Sequence, residues 1–117
     1  MKQWWRWLIA ERRESIPMQE AAIITIDDEL TFPSPALTSY IEHLERGLLA
    51  VAQRGQYRYE GREELNSGLR MFFFCHDAQR FCAEVSPVIR ASPIRHAISA
   101  RWSKNPTSAA WTEWNLD

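Results

Sequence analysis

Glycine is scarce in this chain of 117 residues: four stand singly, at Gly47, Gly55, Gly61 and Gly68. No glycine-rich loop is available to wrap a phosphate, so the backbone device on which nucleotide sites depend is missing. The two cysteines, Cys75 and Cys82, are too few for a disulfide framework or for a four-ligand zinc spacing. No run approaches the roughly eighteen apolar residues of a membrane-spanning helix. The opening "MKQWWRWLIAERR" is interrupted by Arg6 and lacks a small-residue cleavage site, so it reads as mature protein and not as a signal peptide. A formal net charge of -1 supplies no overall field to attract a phosphate backbone. Together these absences predict a cytoplasmic chain with no cofactor, no metal, no nucleic-acid partner and no membrane contact.

What remains is an ordinary globular composition, 45% hydrophobic and 25% charged, with six tryptophans as its unusual feature. A chain of this length forms a single domain over residues 1–117, able to bury roughly two-thirds of its unfolded surface.

Aromatic and β-favouring residues from Trp4 to Glu11, then the polar "RRESIP", predict a first strand and a turn. "EAAIITID", from Glu20 to Asp27, is a short β-branched run that suits a buried strand, paired with the first as a hairpin. Leu37, Tyr40, Ile41, Leu44, Leu48 and Val51 recur at helical steps, with Ser34 as cap, Pro35 in the first turn and Gly55 at the end. Gly47 within that helix points to close packing on a neighbour.

"QYRYEGRE" and "LRMFFFCH" predict two strands joined by a turn at Asn66, Ser67 and Gly68; the second is apolar on both faces, as a central strand should be. A helix capped by Asp77 follows, with Pro87 expected to kink it or end it early. "IRHAISARW", from Ile94 to Trp102, alternates like a strand with one wet face. Trp111 and Trp114, three apart, predict a short C-terminal helix.

The resulting order, β, β, α, β, β, α, β, α, contains the split βαββαβ pattern. The fold class is therefore α+β: a ferredoxin-like two-layer sandwich, its antiparallel sheet carrying an extra N-terminal strand, with two main helices and a short C-terminal one.

From Ala36 onward, "YRYEGREELNSGLRMFFFCHDAQRF", the "ASP" linker and the tail "AAWTEWNL" resemble a bacterial domain-of-unknown-function family distantly related to the regulator of ribonuclease activity B family. The likeness covers about two-thirds of the chain and lies in pattern more than identity. It implies a ferredoxin-like sandwich and, because those regulators bind an enzyme and inhibit it, a precedent for inhibition through a surface. This chain departs from them in lacking a long acidic extension and in carrying Pro87.

Cys75, His76 and Asp77 are the ingredients of a nucleophilic triad. Neighbours on a strand point to opposite faces, however, whereas triad members converge from separate elements. The plainer reading is a buried small hydrophobe, a strand-end histidine and a helix cap. Only His43 and His96 remain to complete a metal site with Cys75, His76 and Cys82. Paired carboxylates at Asp27, Asp28 and Glu29, and at Glu60, Glu63 and Glu64, suit exposed strand ends better than a glycosidase pair, whose spacing in space the sequence does not supply.

Trp4 and Arg6 share one face of the first strand, Trp5 and Trp7 the other. The main reading buries these tryptophans under the C-terminal helix; the alternative makes Trp4 and Arg6 part of a contact surface, since Trp and Arg dominate binding hot spots. The expected function is a non-enzymatic protein-binding module, an immunity protein or inhibitor that neutralises a toxin or enzyme. Trp4, Arg6, Asp27, Asp28, Glu29, Glu60, Glu63 and Glu64 are its partner-binding candidates, the acids meeting a basic partner. The rival readings are a regulator of a ribonuclease, an orphan hydrolase using Cys75 or carboxylates, and a homodimer paired through an edge strand.

Overall fold

A computed structural model describes residues 20–27, 35–65, 68–108 and 110–116. Its elements run β1 (Glu20–Asp27), α1 (Pro35–Gly55), β2 (Arg58–Leu65), β3 (Gly68–Cys75), α2 (Ala78–Arg90), β4 (Ile98–Ser103) and β5 (Thr112–Trp114), with a 3-10 turn at Arg95–Ala97. The strands form one antiparallel sheet of five in the order β2-β3-β1-β4-β5. The fold is α+β, a sheet with two helices in the manner of a two-layer sandwich. No described helix is long and apolar enough to cross a membrane.

Both helices pack on one face of this sheet. Ala22, Ile24 and Ile26 of β1, Leu69, Met71, Phe73 and Cys75 of β3, and Ile98 and Ala100 of β4 meet Leu44, Leu48 and Val51 of α1 and Phe81, Val85 and Ile89 of α2 in one buried cluster. These strand residues are two apart, as period-two alternation requires of one face. The helix residues recur at three and four, giving each helix an apolar stripe.

Glycine decides two close approaches. A Cβ on Gly47 would lie 2.7 Å from Val88 Cγ1, so the missing side chain lets α1 and α2 come together. A Cβ on Gly68 would lie 1.8 Å from the Ile26 carbonyl oxygen, so only glycine allows β3 to start beside β1 in this register.

The end of α1 is closed by two backbone bonds, Tyr57 N–H to the Ala52 carbonyl at 2.9 Å and Gln56 N–H to the Gln53 carbonyl at 3.4 Å. This is the Schellman arrangement, with Gln56 at φ 61° in the left-handed position usually given to glycine. The start of α2 is capped twice: Asp77 Oδ1 accepts from Arg80 N–H at 3.1 Å, and Glu20 Oε1, from the first residue of β1, accepts from Ala78 N–H at 2.8 Å.

Several expectations need correction. The predicted C-terminal helix is a strand: Trp114, Glu113 and Thr112 pair with Ala100, Arg101 and Trp102 on the open edge of β4. A spacing of three between tryptophans suits a helix, but so short a segment gains more from extending the sheet and packing Trp114 on the core. The strand predicted over Ile94 to Trp102 begins only at Ile98, because Arg95–Ala97 form the 3-10 turn.

Pro87 neither ends α2 early nor stops its last turn, and Ala91 N–H returns to the Pro87 carbonyl at 3.1 Å. The hairpin partner expected beside β1 has no place there, since β3 and β4 occupy both of its edges. The strand predicted over Trp4 to Glu11, Ser34 as a cap, and the turn residues Asn66 and Ser67 lie outside the described residues.

Candidate functional site

The residues that spell a triad each serve the fold. Cys75, at the end of β3, points into the core, and burial, reinforced by the neighbouring Cys82, pushes its thiol far above the ordinary range. His76 stacks on the Tyr57 ring at 4.9 Å and lies 3.2 Å from the Gly55 carbonyl oxygen through Nε2. Asp77 caps α2. Burial also raises the Cys82 thiol to about 12. Neither sulfur ionises near neutral pH, so neither is an activated nucleophile. Among the described residues, no three His, Cys, Asp or Glu side chains gather to hold a metal ion.

The acidic candidates separate in space. Glu60 pairs with Arg58, and Glu63 with Arg70 at 3.6 Å, on the sheet face away from the helices. Glu64 is exposed, and Asp27 is exposed at the end of β1 opposite Gly68. This part of the surface is a lattice of matched charges more than a uniform acidic field. Trp4, Arg6, Asp28 and Glu29 lie outside the described residues.

Two tyrosines repeat one device along "YRY". Tyr57 donates its hydroxyl to Glu84 of α2 at 2.7 Å, and Tyr59 donates to Glu45 of α1 at 2.7 Å. Each carboxylate also holds an arginine, Arg80 at 3.3 Å on Glu84 and Arg62 at 3.3 Å on Glu45. Burial first, then these bonds to carboxylates, push both phenols above their ordinary ionisation. The pairs tie β2 and its lead-in to both helices and leave the phenols occupied.

A cleft of about 600 Å³ opens where α2 ends against β4 and β5. Ile89, Trp114 and Leu116 give it apolar walls, and the exposed Arg90, Arg95, His96 and Glu113 line it as well. Its volume falls within the span of ligand pockets. Trp114 is held there by its indole N–H, which donates to Ser86 Oγ at 2.8 Å; the Ser86 hydroxyl in turn donates to the Cys82 carbonyl at 2.7 Å. Arg90 Nη1 reaches the Leu116 carbonyl at 3.5 Å. A fixed aromatic wall with two arginines at its mouth suits a carboxylate carried beside an apolar group.

The sequence did not single out this site. Its residues come from the end of α2, a 3-10 turn, β4 and β5. No family model, curated protein or solved structure matches the chain.

Proposed function

We propose that this domain works by binding another protein, as an immunity protein or inhibitor that occludes a toxin or enzyme, and not by catalysing a reaction. The observation that carries the reading is the cleft beside Trp114, an ordered aromatic wall with Arg90 and Arg95 exposed at its rim. Trp and Arg are among the side chains that most often anchor protein interfaces: the rigid indole buries much area at little cost in side-chain freedom, and the guanidinium adds directed hydrogen bonds. The cations select a partner that presents a carboxylate next to an apolar or aromatic group. The engagement of Cys75, His76 and Asp77 in core, stacking and capping supports binding over nucleophilic chemistry.

The ferredoxin-like form of the sandwich belongs to the same reading. It is supported by β1 lying between β3 and β4, by β2 pairing outside β3, and by a helix in each connection from β1 to β2 and from β3 to β4, with β5 as an edge addition. The resemblance to the ribonuclease regulators adds a precedent for inhibition, in a cytoplasmic setting.

The test is capture of the tagged chain's partner, followed by titration of that partner with the native chain and with an Arg90→Glu, Arg95→Glu variant. The expected result is inhibition of the partner's activity by the native chain and an affinity loss of about thirtyfold or more in the variant, the size of a hot-spot truncation. Equal affinity of the two chains, or no partner recovered by either, overturns the proposal.

A further inference from the structure

Granted the binding role proposed for the cleft beside Trp114, its polar groups also decide which part of a partner enters. Arg95 is exposed, and among the described residues no group hydrogen-bonds or ion-pairs with its guanidinium. Arg90 gives one guanidinium N–H to the Leu116 carbonyl at 3.5 Å and keeps the rest. Against these two cations the lining holds one acid, Glu113, so the cleft is cationic on balance. The backbone N–H groups of Ala91, Arg95 and Ala97 are spent on the Pro87, Ser92 and Ile94 carbonyls. An anion in the cleft is therefore met by guanidinium groups, which hold a carboxylate through paired N–H donors.

A protein chain presents a carboxylate beside an apolar group most compactly at its C-terminus. In an extended internal segment, the residue next to an Asp or Glu points to the opposite side, so the two do not enter one cleft together. A C-terminal residue holds its carboxylate and its side chain on a single Cα. The cleft matches that arrangement: its aromatic wall is one indole, fixed by its 2.8 Å bond to Ser86 and joined by Ile89 and Leu116. A volume of about 600 Å³ suits a compact ligand, such as a terminal residue with its neighbour. β5 is the last of the described strands, and its Thr112 and Glu113 are exposed, so main-chain groups along that edge stand beside the cleft to meet the incoming amides.

We infer that the cleft captures the free C-terminus of a partner chain whose last side chain is large and apolar. The guanidinium groups of Arg90 and Arg95 hold the terminal carboxylate, and the side chain packs on Trp114 between Ile89 and Leu116. Recognition then needs both the charge of the carboxylate and its place on the same Cα as the apolar group.

The experiment titrates the full chain, labelled with nitrogen-15, with N-acetylated Ala-Ala-Phe and Ala-Ala-Leu as free acids and follows the Trp114 indole N–H signal by NMR. The comparison ligands are the C-terminal amides of both peptides, the internal acid Ala-Phe-Glu-Ala capped at both ends, and 3-phenylpropionate. The expected result is that at least one free acid binds about tenfold or more tightly than its amide, the internal acid and 3-phenylpropionate. Arg95→Gln, which removes no side-chain bond among the described residues, should abolish the preference for acid over amide.

The inference is overturned if neither free acid binds, if acid and amide bind equally, or if the internal acid does as well as the free acids. Equal binding of 3-phenylpropionate would make the cleft a pocket for small carboxylates and would overturn it too. Failure of the binding role itself reads differently. If a captured partner still loses affinity for the Arg90→Glu, Arg95→Glu variant while the free-acid preference is absent, the binding role stands and C-terminal capture falls.

Discussion

Trp114 donates its indole N–H to Ser86 Oγ at 2.8 Å, and through that bond the last strand of the sheet is fixed to the middle of α2. Ser86 is buried and passes its own proton toward the Cys82 carbonyl, so both of its hydrogen-bonding roles are filled. The relay explains why the C-terminal segment lies on β4: β5 is only three residues long and needs an anchor besides its ladder.

Trp114→Phe keeps an aromatic body and removes the donor, and should lower stability by about 1 kcal/mol. Ser86→Ala should cost a similar amount, since it leaves the part-buried indole N–H without this partner. The double variant should cost less than the sum of the two, because both remove the same bond. Urea unfolding of the four chains measures this; strict additivity would mean that the bond does not couple β5 to α2.

Gly68→Ala is the substitution the sheet should tolerate least. The added methyl meets the Ile26 carbonyl oxygen at 1.8 Å, and that atom belongs to the central strand and has no rotamer by which to withdraw. The β3 start must move away from β1, with an expected loss of about 3 kcal/mol or more, in the range of severe single substitutions. Gly61→Ala meets no atom within 4 Å, and its penalty arises only from its φ of 111°. Thermal unfolding should therefore place Gly61→Ala between Gly68→Ala and the native chain.

The helices and the β2–β3 hairpin were legible because their signals are local: the stripe from Leu37 to Val51, the Asp77 cap, and alternation through Phe72, Phe73 and Phe74. The C-terminal segment was not, because a tryptophan pair three apart suits a helix and the deciding partners, β4 and Ser86, are remote in sequence. The alternation of His96 and Ile98 runs across two elements, since His96 falls in a 3-10 turn and Ile98 begins the strand. The cleft was invisible for a similar reason: Arg90, Arg95 and Trp114 meet only after the sheet order is set. The matched pairs Arg58–Glu60 and Arg70–Glu63 likewise turn what reads as an acidic stretch into a balanced surface.

Gly47 and Val88 offer a sharper test of packing. Alanine at position 47 gains about 1 kcal/mol of helix propensity. It also drives its methyl to 2.7 Å from a branched Val88 side chain that has little room to turn. Gly47→Ala should be net destabilising, and Val88→Ala should be less harmful in the Gly47→Ala background than in the native chain. A double-mutant cycle in urea reads the coupling; a stabilised Gly47→Ala chain would show that α1 and α2 are free to separate.

The last prediction concerns alkaline pH. Tyr57 and Tyr59 ionise near 10 when unfolded and well above that when folded, because burial and hydrogen bonds to Glu84 and Glu45 oppose a phenolate. Burial likewise moves Cys82 from 9.0 to about 12. In each case the folded state holds the proton more tightly. The stabilisation is therefore fully present below the unfolded values and is lost as pH rises toward the folded ones. Stability should stay level from neutral pH to about 9 and then fall steadily toward about 12. Tyr57→Phe with Tyr59→Phe should lower stability at neutral pH by about 2 kcal/mol, about one for each hydrogen bond. The same change should flatten the alkaline fall, because two of the groups that release protons on unfolding are gone. Urea midpoints across this range test both halves, and a double variant that keeps the native slope would show that the tyrosines are not what couples the fold to pH.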